Sequence, residues 1–334
     1  MITIIAEAGV NHNGSLDMAK RMVDVAVDAG ADYVKFQTFK TKNLVTRSAR
    51  QADYQIKNAE SAEKDESQYS MLKRLELSEN DHRELLEYCK SKGIKFLSTP
   101  FDLESIDLLS SLGLKLWKIP SGEINNYPYL RKIAKYNDEV VMSTGMCEPE
   151  DVRLAVKALV DNGQDISKVT LLHCNTQYPT PMQDVNLCAM ESLKQFAPNI
   201  GYSDHTEGIE VAIAAVALGA KVIEKHFTLS RELPGPDHKA SIEPDELKAM
   251  VSAIRNVEMA LGAKEKHVTL SEMANREVAR KSIVASRYIK KGELLTQENM
   301  TTKRPGTGIS PMLWSKLEGT PAVRDFEPDE IIEI

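Results

Sequence analysis

The chain has 334 residues, 42% of them apolar, and carries 49 acidic against 42 basic side chains for a net charge of −7. That balance excludes a binder held to nucleic acid by a basic face. Any anionic ligand must instead be met by a local cluster of cations. No apolar stretch nears the roughly 18–20 residues of a membrane span. The four cysteines, Cys89, Cys147, Cys174 and Cys188, show no paired spacing, and residues 1–10 lack the basic start and cleavage site of a signal peptide. A reduced, cytoplasmic protein is therefore expected.

Eight short apolar runs alternate with eight helix-like segments. In chain order the runs are ITIIAEAG (2–9), YVKFQT (33–38), KFLSTP (95–100), LWKIPSGE (116–123), EVVMSTG (139–145), VTLLHCN (169–175), NIGYSDH (199–205) and VIEKHF (222–227). Ser15 can cap the first helix and Gly30 can end it. This is the pattern of a (β/α)8 barrel over residues 1–262, whose strand ends share one rim where active sites are built. The connection from Gln37 to the helix near Ser78 is about 40 residues long, far beyond the usual βα loop of about 2–6. It reads as a lid or a dimer-contact segment. Residues 263–280 turn polar and read as a partly helical connector. Residues 281–334, with short β-prone pieces, Gly/Pro turns and a short helix at 311–317, predict a small mainly-β domain that packs on a barrel, its own or a partner's.

Nearly every run ends on a residue able to do chemistry. His205 and His226 end runs seven and eight, so two imidazoles can share the rim. An open pair of neutral imidazoles suits a borderline divalent cation such as Mn, Co, Zn or Fe, acting as a Lewis acid on a carbonyl. Either alone reads first as a satisfied structural histidine, whereas the pair at adjacent strand ends reads as ligands; His82 and His267 read as surface residues. Lys35 and Lys118, inside apolar strands, are costly unless they meet an anion. With the hydroxyls of Thr99, Ser121, Ser143 and Ser203 they make a ring of donors for phosphate and carboxylate. The competing reading is internal ion pairing to Glu7 and Glu123.

Glu123, after Ser121-Gly122 in a turn expected to bring backbone close to a ligand, could take a proton, touch a metal through water or hold a sugar. Glu7 would orient Lys35 or Lys118, or is purely structural. Asp237, in PGPD, suits a hydroxyl-rich substrate or is a plain turn acid. Tyr178, in NTQYPTP, would stack or hydrogen-bond on the loop after run six. Arg304, in KRPGTG, rides a flexible loop that can carry its guanidinium into a neighbouring site, or is simply solvated.

The pieces AEAGVNHNGS (6–15), VKFQTFK (34–40), FLSTPFD (96–102), WKIPSGE (117–123), STGM (143–146), LLHCNTQYPTP (171–181), GYSDHT (201–206), EKHFTL (224–229), GPDHKASIEPDEL (235–247) and TKRPGTGISP (302–311) span the chain in order. Together they resemble the sialic acid synthase family, especially bacterial N-acetylneuraminate synthases, with a tail resembling the antifreeze-like (SAF) domain. The resemblance implies a TIM barrel that condenses phosphoenolpyruvate with N-acetylmannosamine and water, giving N-acetylneuraminate and phosphate, with a divalent metal (Mn, Mg or possibly Co). It implies that Lys35, Thr99, Lys118, Ser121, Ser143 and Ser203 hold phosphoenolpyruvate and that His205 and His226 bind the metal. It implies that Gln37, Glu123, Tyr178, Asp237 and Arg304 handle the amino sugar, Arg304 coming from the partner of a homodimer with swapped SAF domains. Where some members have Thr-Asn-Ile-Tyr, this chain has Asn175-Thr176-Gln177-Tyr178. Thr176 or Asn175 would then supply the contact to the phosphate side.

Three rival readings are separable. Similar synthases make legionaminic acid from 2,4-diacetamido-2,4,6-trideoxymannose, which differs at C4 and C6; the stretches 116–121 and 175–181 read as nearer the N-acetylneuraminate group. A Schiff-base aldolase would form a covalent adduct at Lys118 or Lys35. A non-catalytic sugar-binding protein would need no rim of cations and imidazoles.

Overall fold

In the computed structural model, which describes residues 1–50 and 67–334, the eight runs form parallel strands. They are β1 (Thr3–Gly9), β2 (Tyr33–Thr38), β3 (Lys95–Pro100), β4 (Leu116–Ile119), β5 (Glu139–Ser143), β6 (Val169–His173), β7 (Asn199–Asp204) and β8 (Val222–His226). They hydrogen-bond in the order β3-β2-β1-β8-β7-β6-β5-β4, and β3 lies against β4, so the sheet curls into a barrel. This is the expected TIM barrel.

The helices between strands form for local reasons visible in sequence. Ser15 Oγ accepts from Met18 N and Gly30 closes the first helix, Leu16–Ala29, in the left-handed conformation; Ala19, Met22, Val23 and Ala26 make its buried stripe. The crossover from β6 to β7 departs from the pattern, because Leu187–Gln195 is a 3-10 segment. Leu187, Met190 and Leu193 recur every third residue, which puts one apolar row on a three-fold turn.

Strand alternation decides which side chains reach the barrel interior. Glu7 pairs in register with Lys35 on β2 and His226 on β8, Gln37 with Thr99, and Ser203 with Glu224. Both faces of a parallel barrel are covered, so the outward residues are buried too. Lys225 and Asp204 are an outward pair, fully buried, with Nζ 2.9 Å from Oδ2. Lys225 also donates to the Thr206 carbonyl at 2.6 Å, and Asp204 accepts from Thr206 N and Oγ1, so the pair braces the turn that carries His205.

The long connection after β2 includes residues 51–66, which lie outside the described residues, so the lid or dimer-contact expectation is open there. Its flanks are helices Thr41–Leu44 and Gln68–Leu75. Phe39, Met71 and Leu75 bury against Val10, with Phe101 alongside. His82, read from sequence as a surface residue, is 1% exposed. It sits under its helix between the Thr38 hydroxyl (2.7 Å) and the Ser78 carbonyl (2.7 Å). An amphipathic helix buries one stripe, and His82 falls on that stripe with Leu85 and Cys89.

The chain divides into two compact units, Met1–Gly262 and Ala263–Ile334. The second begins with a helix, Leu270–Ala279, none of whose residues is buried. It then forms an antiparallel pair, Ser282–Ala285 with Met300–Lys303. Its own core gathers Ile283, Ala285, Ile289, Leu295, Met300, Leu317, Phe326 and Ile332. No helix among the described residues is long and apolar enough to cross a membrane.

Candidate active site

A cavity of about 580 Å³ opens at the C-terminal ends of the strands. Its floor is a four-membered charge cluster. Lys35 Nζ lies 2.9 Å from Glu7 Oε2 and 3.4 Å from Glu224 Oε2, and it donates to Thr99 Oγ1 at 2.8 Å. Lys118 Nζ donates to Ser143 Oγ at 2.7 Å and lies 3.5 Å from Glu224 Oε1. Ser203 Oγ donates to Glu224 Oε1 at 2.8 Å. All four charged side chains are nearly excluded from solvent.

Two ammoniums against two carboxylates leave the floor unevenly charged. Burial disfavours ionised Glu224, but Lys118 and Lys35 outweigh it and hold the carboxyl well below the usual range. Burial raises Glu7 to about 7, only partly offset by Lys35. Burial works to lower Lys35, yet Glu224 and Glu7 lift it above its ordinary value; at Lys118 burial wins and the ammonium is weakened. Glu7 is thus the first member of the cluster to take a proton, and a protonated Glu7 leaves net positive charge for an anion.

The wall above carries the histidines. The ring centroids of His205 and His226 are 5.3 Å apart at 68°. His205 Nδ1 donates to the Asn175 carbonyl, which directs the lone pair of Nε2 into the cavity, where Tyr178 Oη lies at 3.2 Å. Tyr178 packs on His205 with ring centroids 4.1 Å apart. His226 Nδ1 is buried and has no hydrogen-bond partner among the described residues. Burial lowers His205 to about 4 and pushes His226 well down, with His205 adding to the effect, so both rings are neutral.

Two glycines make this packing possible. A Cβ at Gly145 would lie 2.6 Å from Thr176 Cγ2 and 2.9 Å from Ser121 Oγ. Gly145 N donates to that hydroxyl at 2.9 Å. Gly9, at φ +53°, forms a bulge where β1 slips against β2, with Glu7, Gln37 and His226 all about a Cβ contact away. The close approach expected at Gly122 is absent, because nothing lies within 4 Å of its missing Cβ.

The structure brings together most of the residues singled out in sequence: Glu7, Lys35, Gln37, Thr99, Lys118, Ser121, Ser143, Thr176, Tyr178, Ser203, His205, His226 and Asp237 line one cavity. Asp237 is 8% exposed and burial raises it to about 6. Three residues stand apart from the lining. Glu123 is half-buried beside Gly122, its Oε2 accepting from Asn126 at 2.6 Å; burial raises its carboxyl, and it makes no pair with Lys118. Asn175 turns its Oδ1 back to Gln177 N (2.7 Å), so it does not replace Thr176 at the cavity. Arg304 belongs to the second unit.

Glu224 was missed. The signal was present, since a residue two before His226 on a strand faces the same way. Gln177, Met146, Phe101 and Pro120 also line the cavity without having been singled out.

A parallel barrel with buried lysines, hydroxyls and paired imidazoles at its strand ends has the layout of an enzyme site, with cations and donors gathered in one cavity. A family model described as the NeuB family matches residues 22–266, and a SAF domain model matches residues 280–333. The chain belongs to the NeuB family and is an enzyme of that family carrying a C-terminal SAF domain. It is 52% identical over 330 residues to the N,N'-diacetyllegionaminic acid synthase of Campylobacter jejuni, covering 98% of each chain. With the enzyme of the same name from Legionella pneumophila it shares 49% over 320 residues, 95% of this chain and 89% of the other. Among solved structures, the N-acetylneuraminic acid synthetase of Leptospira borgpetersenii in complex with citrate superposes with a TM-score of 0.70 at 34% identity. That match covers 82% of this chain and 90% of that one.

Proposed function

We propose that this enzyme is an N,N'-diacetyllegionaminic acid synthase. It would condense phosphoenolpyruvate with 2,4-diacetamido-2,4,6-trideoxymannose and water, releasing phosphate. The observation that carries the reading is the 52% and 49% identity, over nearly the whole chain, to two synthases of that name. This revises the expectation from sequence, which put N-acetylmannosamine first on the strength of residues 116–121 and 175–181.

The lysine floor suits the phosphate and carboxylate of phosphoenolpyruvate: Lys35 and Lys118 supply charge, and Thr99, Ser121, Ser143, Thr176 and Ser203 supply hydroxyls. The aldehyde of the open-chain sugar belongs beside the histidines, and Gln37, Tyr178 and Asp237 line the same space for its amide and hydroxyls. In the reaction, C3 of phosphoenolpyruvate forms a bond to the sugar's C1. Water adds at C2, and the tetrahedral product loses phosphate by C–O cleavage. Proximity of two held substrates supplies much of the acceleration. Glu7, raised by burial, is the floor carboxylate that takes water's proton, while Glu224, held ionised by both lysines, keeps them in place. Glu123 would have to leave Asn126 and turn in from beside Gly122 to serve the sugar end as proton carrier.

His205 and His226 fit a divalent cation on their own chemistry. Both are neutral, one is fixed in tautomer by a carbonyl, and the other has a buried nitrogen with no hydrogen-bond partner among the described residues. Among the described residues no cluster of three or more imidazole, thiol or carboxylate groups could hold a metal, so water and substrate oxygens would complete the shell. When bound, such a cation supplies Lewis acidity to the aldehyde oxygen; imidazole ligands favour Mn or Co over Mg. We further propose a cytoplasmic homodimer with swapped SAF domains, in which Arg304 reaches the partner's sugar site.

The reading is tested with phosphoenolpyruvate carrying 18O in the bridging position, the diacetamido sugar and Mn. Label recovered in phosphate, with a new nonulosonate by mass spectrometry, is the expected result. Label retained in the carbon product, or a borohydride-trapped lysine adduct, contradicts it.

A further inference from the structure

We infer that Gln177 reads the C4 acetamido group of the sugar and is a specificity-determining residue of this cavity, an inference that rests on the synthase reading above. Three observations carry it. The first is that Gln177 lines the cavity and is solvent-exposed, with no hydrogen bond to its side-chain amide among the described residues.

The second is that its backbone is fixed on both sides. Gln177 N donates to Asn175 Oδ1 at 2.7 Å, and Thr180 Oγ1 donates to the Gln177 carbonyl at 2.9 Å. Thr180 N in turn donates to the His205 carbonyl at 2.8 Å. A free amide on a clamped base has its donor and acceptor available to a ligand, and only the side chain itself remains to be ordered.

The third is position. The next residue, Tyr178, packs on His205, so the loop that holds Gln177 runs along the wall where the aldehyde end of the sugar sits. A chain anchored by C1 at the histidines and fed by phosphoenolpyruvate from the lysine floor must direct its far carbons towards the exposed part of the lining. Gln177 lies in that exposed part.

The chemistry of the residue then selects the substituent. A primary amide offers an acceptor oxygen and N–H donors, so it can donate to the carbonyl of a trans secondary acetamide or accept from its N–H, one end at a time. A hydroxyl at C4 can also donate and accept, but its oxygen ends two bonds nearer the ring than the acetamide's carbonyl oxygen, short of the loop that carries Gln177. An isoleucine at this position could use neither end of the acetamide.

The test measures kcat/KM of the full-length, Mn-loaded enzyme by phosphate release. The two sugars are 2,4-diacetamido-2,4,6-trideoxymannose and 2-acetamido-2,6-dideoxymannose, which differ only at C4. In Gln177→Ile the preference for the diacetamido sugar falls about 10-fold, through KM, as expected for the loss of an amide pair at a partly solvated site. Gln177→Glu, which keeps the acceptor and loses the donor, falls between the two. A preference within about 2-fold of wild type in Gln177→Ile overturns the role of Gln177 while leaving the synthase reading intact. A wild-type enzyme that uses N-acetylmannosamine in preference to the diacetamido sugar overturns the substrate reading and this inference with it.

Discussion

The floor of the cavity is held by residues that would each be a liability alone. A buried lysine or carboxylate without a partner costs several kcal/mol, and Glu224 touches both lysines. Glu224→Gln therefore removes the group that anchors the anion cage. Its kcat/KM for phosphoenolpyruvate is expected to fall at least about 100-fold, measured by phosphate release; a loss under about 3-fold would assign the cage to Glu7 alone. On the wall, His226→Ala is expected to abolish metal-dependent turnover, with the fold retained by circular dichroism. A near-normal rate in that variant would remove the imidazole pair from the account. Gly145→Ala is a gentler probe of the same geometry: the new Cβ would displace Ser121 and Thr176, so KM for phosphoenolpyruvate should rise while stability changes little.

At the scale of elements, the positions of these side chains depend on groups that face away from the cavity. Asp204 and Lys225 sit on the outer face of β7 and β8 with no exposure at all. Asp204→Ala leaves an unpaired buried ammonium, expected to cost about 3–5 kcal/mol in urea unfolding. Asp204→Ala combined with Lys225→Met should recover much of that loss. A second element-level effect comes from His12, on the turn after β1. Its Nδ1 accepts from Gly14 N at 3.0 Å and burial lowers its pKa to about 4. The unfolded chain binds a proton at this site from about pH 6.5 downwards while the folded one does not. Stability is therefore full above pH 6.5 and falls between 6.5 and 4, by about 2 kcal/mol at pH 5 from this residue. His12→Gln should flatten that part of the profile; an unchanged slope would place the titration elsewhere.

Over the whole molecule, strand order and the residues at strand ends were legible in sequence because a parallel barrel writes one apolar run per strand and ends it at one rim. Lys35, Thr99, Ser143, Ser203 and His226 follow from that rule alone. Glu224 did not stand out, since an acid inside an apolar strand reads as an ion-pair partner until its neighbours are known. His82 was misplaced because a helix stripe can bury a polar ring when hydroxyls such as that of Thr38 meet it. Asn175 and Glu123 could not be placed from sequence at all, because loop side chains choose between backbone caps and the cavity by three-dimensional fit. The 3-10 crossover at Leu187–Gln195 was there to be read in its period of three.

The proposed swap of SAF domains makes a prediction of its own at this scale. Co-expressed Arg304→Ala and His226→Ala chains should regain turnover that neither has alone, since one site of the mixed dimer would hold both intact residues. No recovery would put Arg304 in its own chain's site or outside the chemistry.

The central claim is a choice of sugar. With N-acetylmannosamine and 2,4-diacetamido-2,4,6-trideoxymannose present together at equal concentration, excess phosphoenolpyruvate and Mn, the ratio of the two nonulosonates by mass spectrometry gives the ratio of kcat/KM directly. The account predicts at least about 10-fold more N,N'-diacetyllegionaminate, the discrimination expected from differential contacts at C4 and C6. An equal mixture, or a predominance of N-acetylneuraminate, would contradict it.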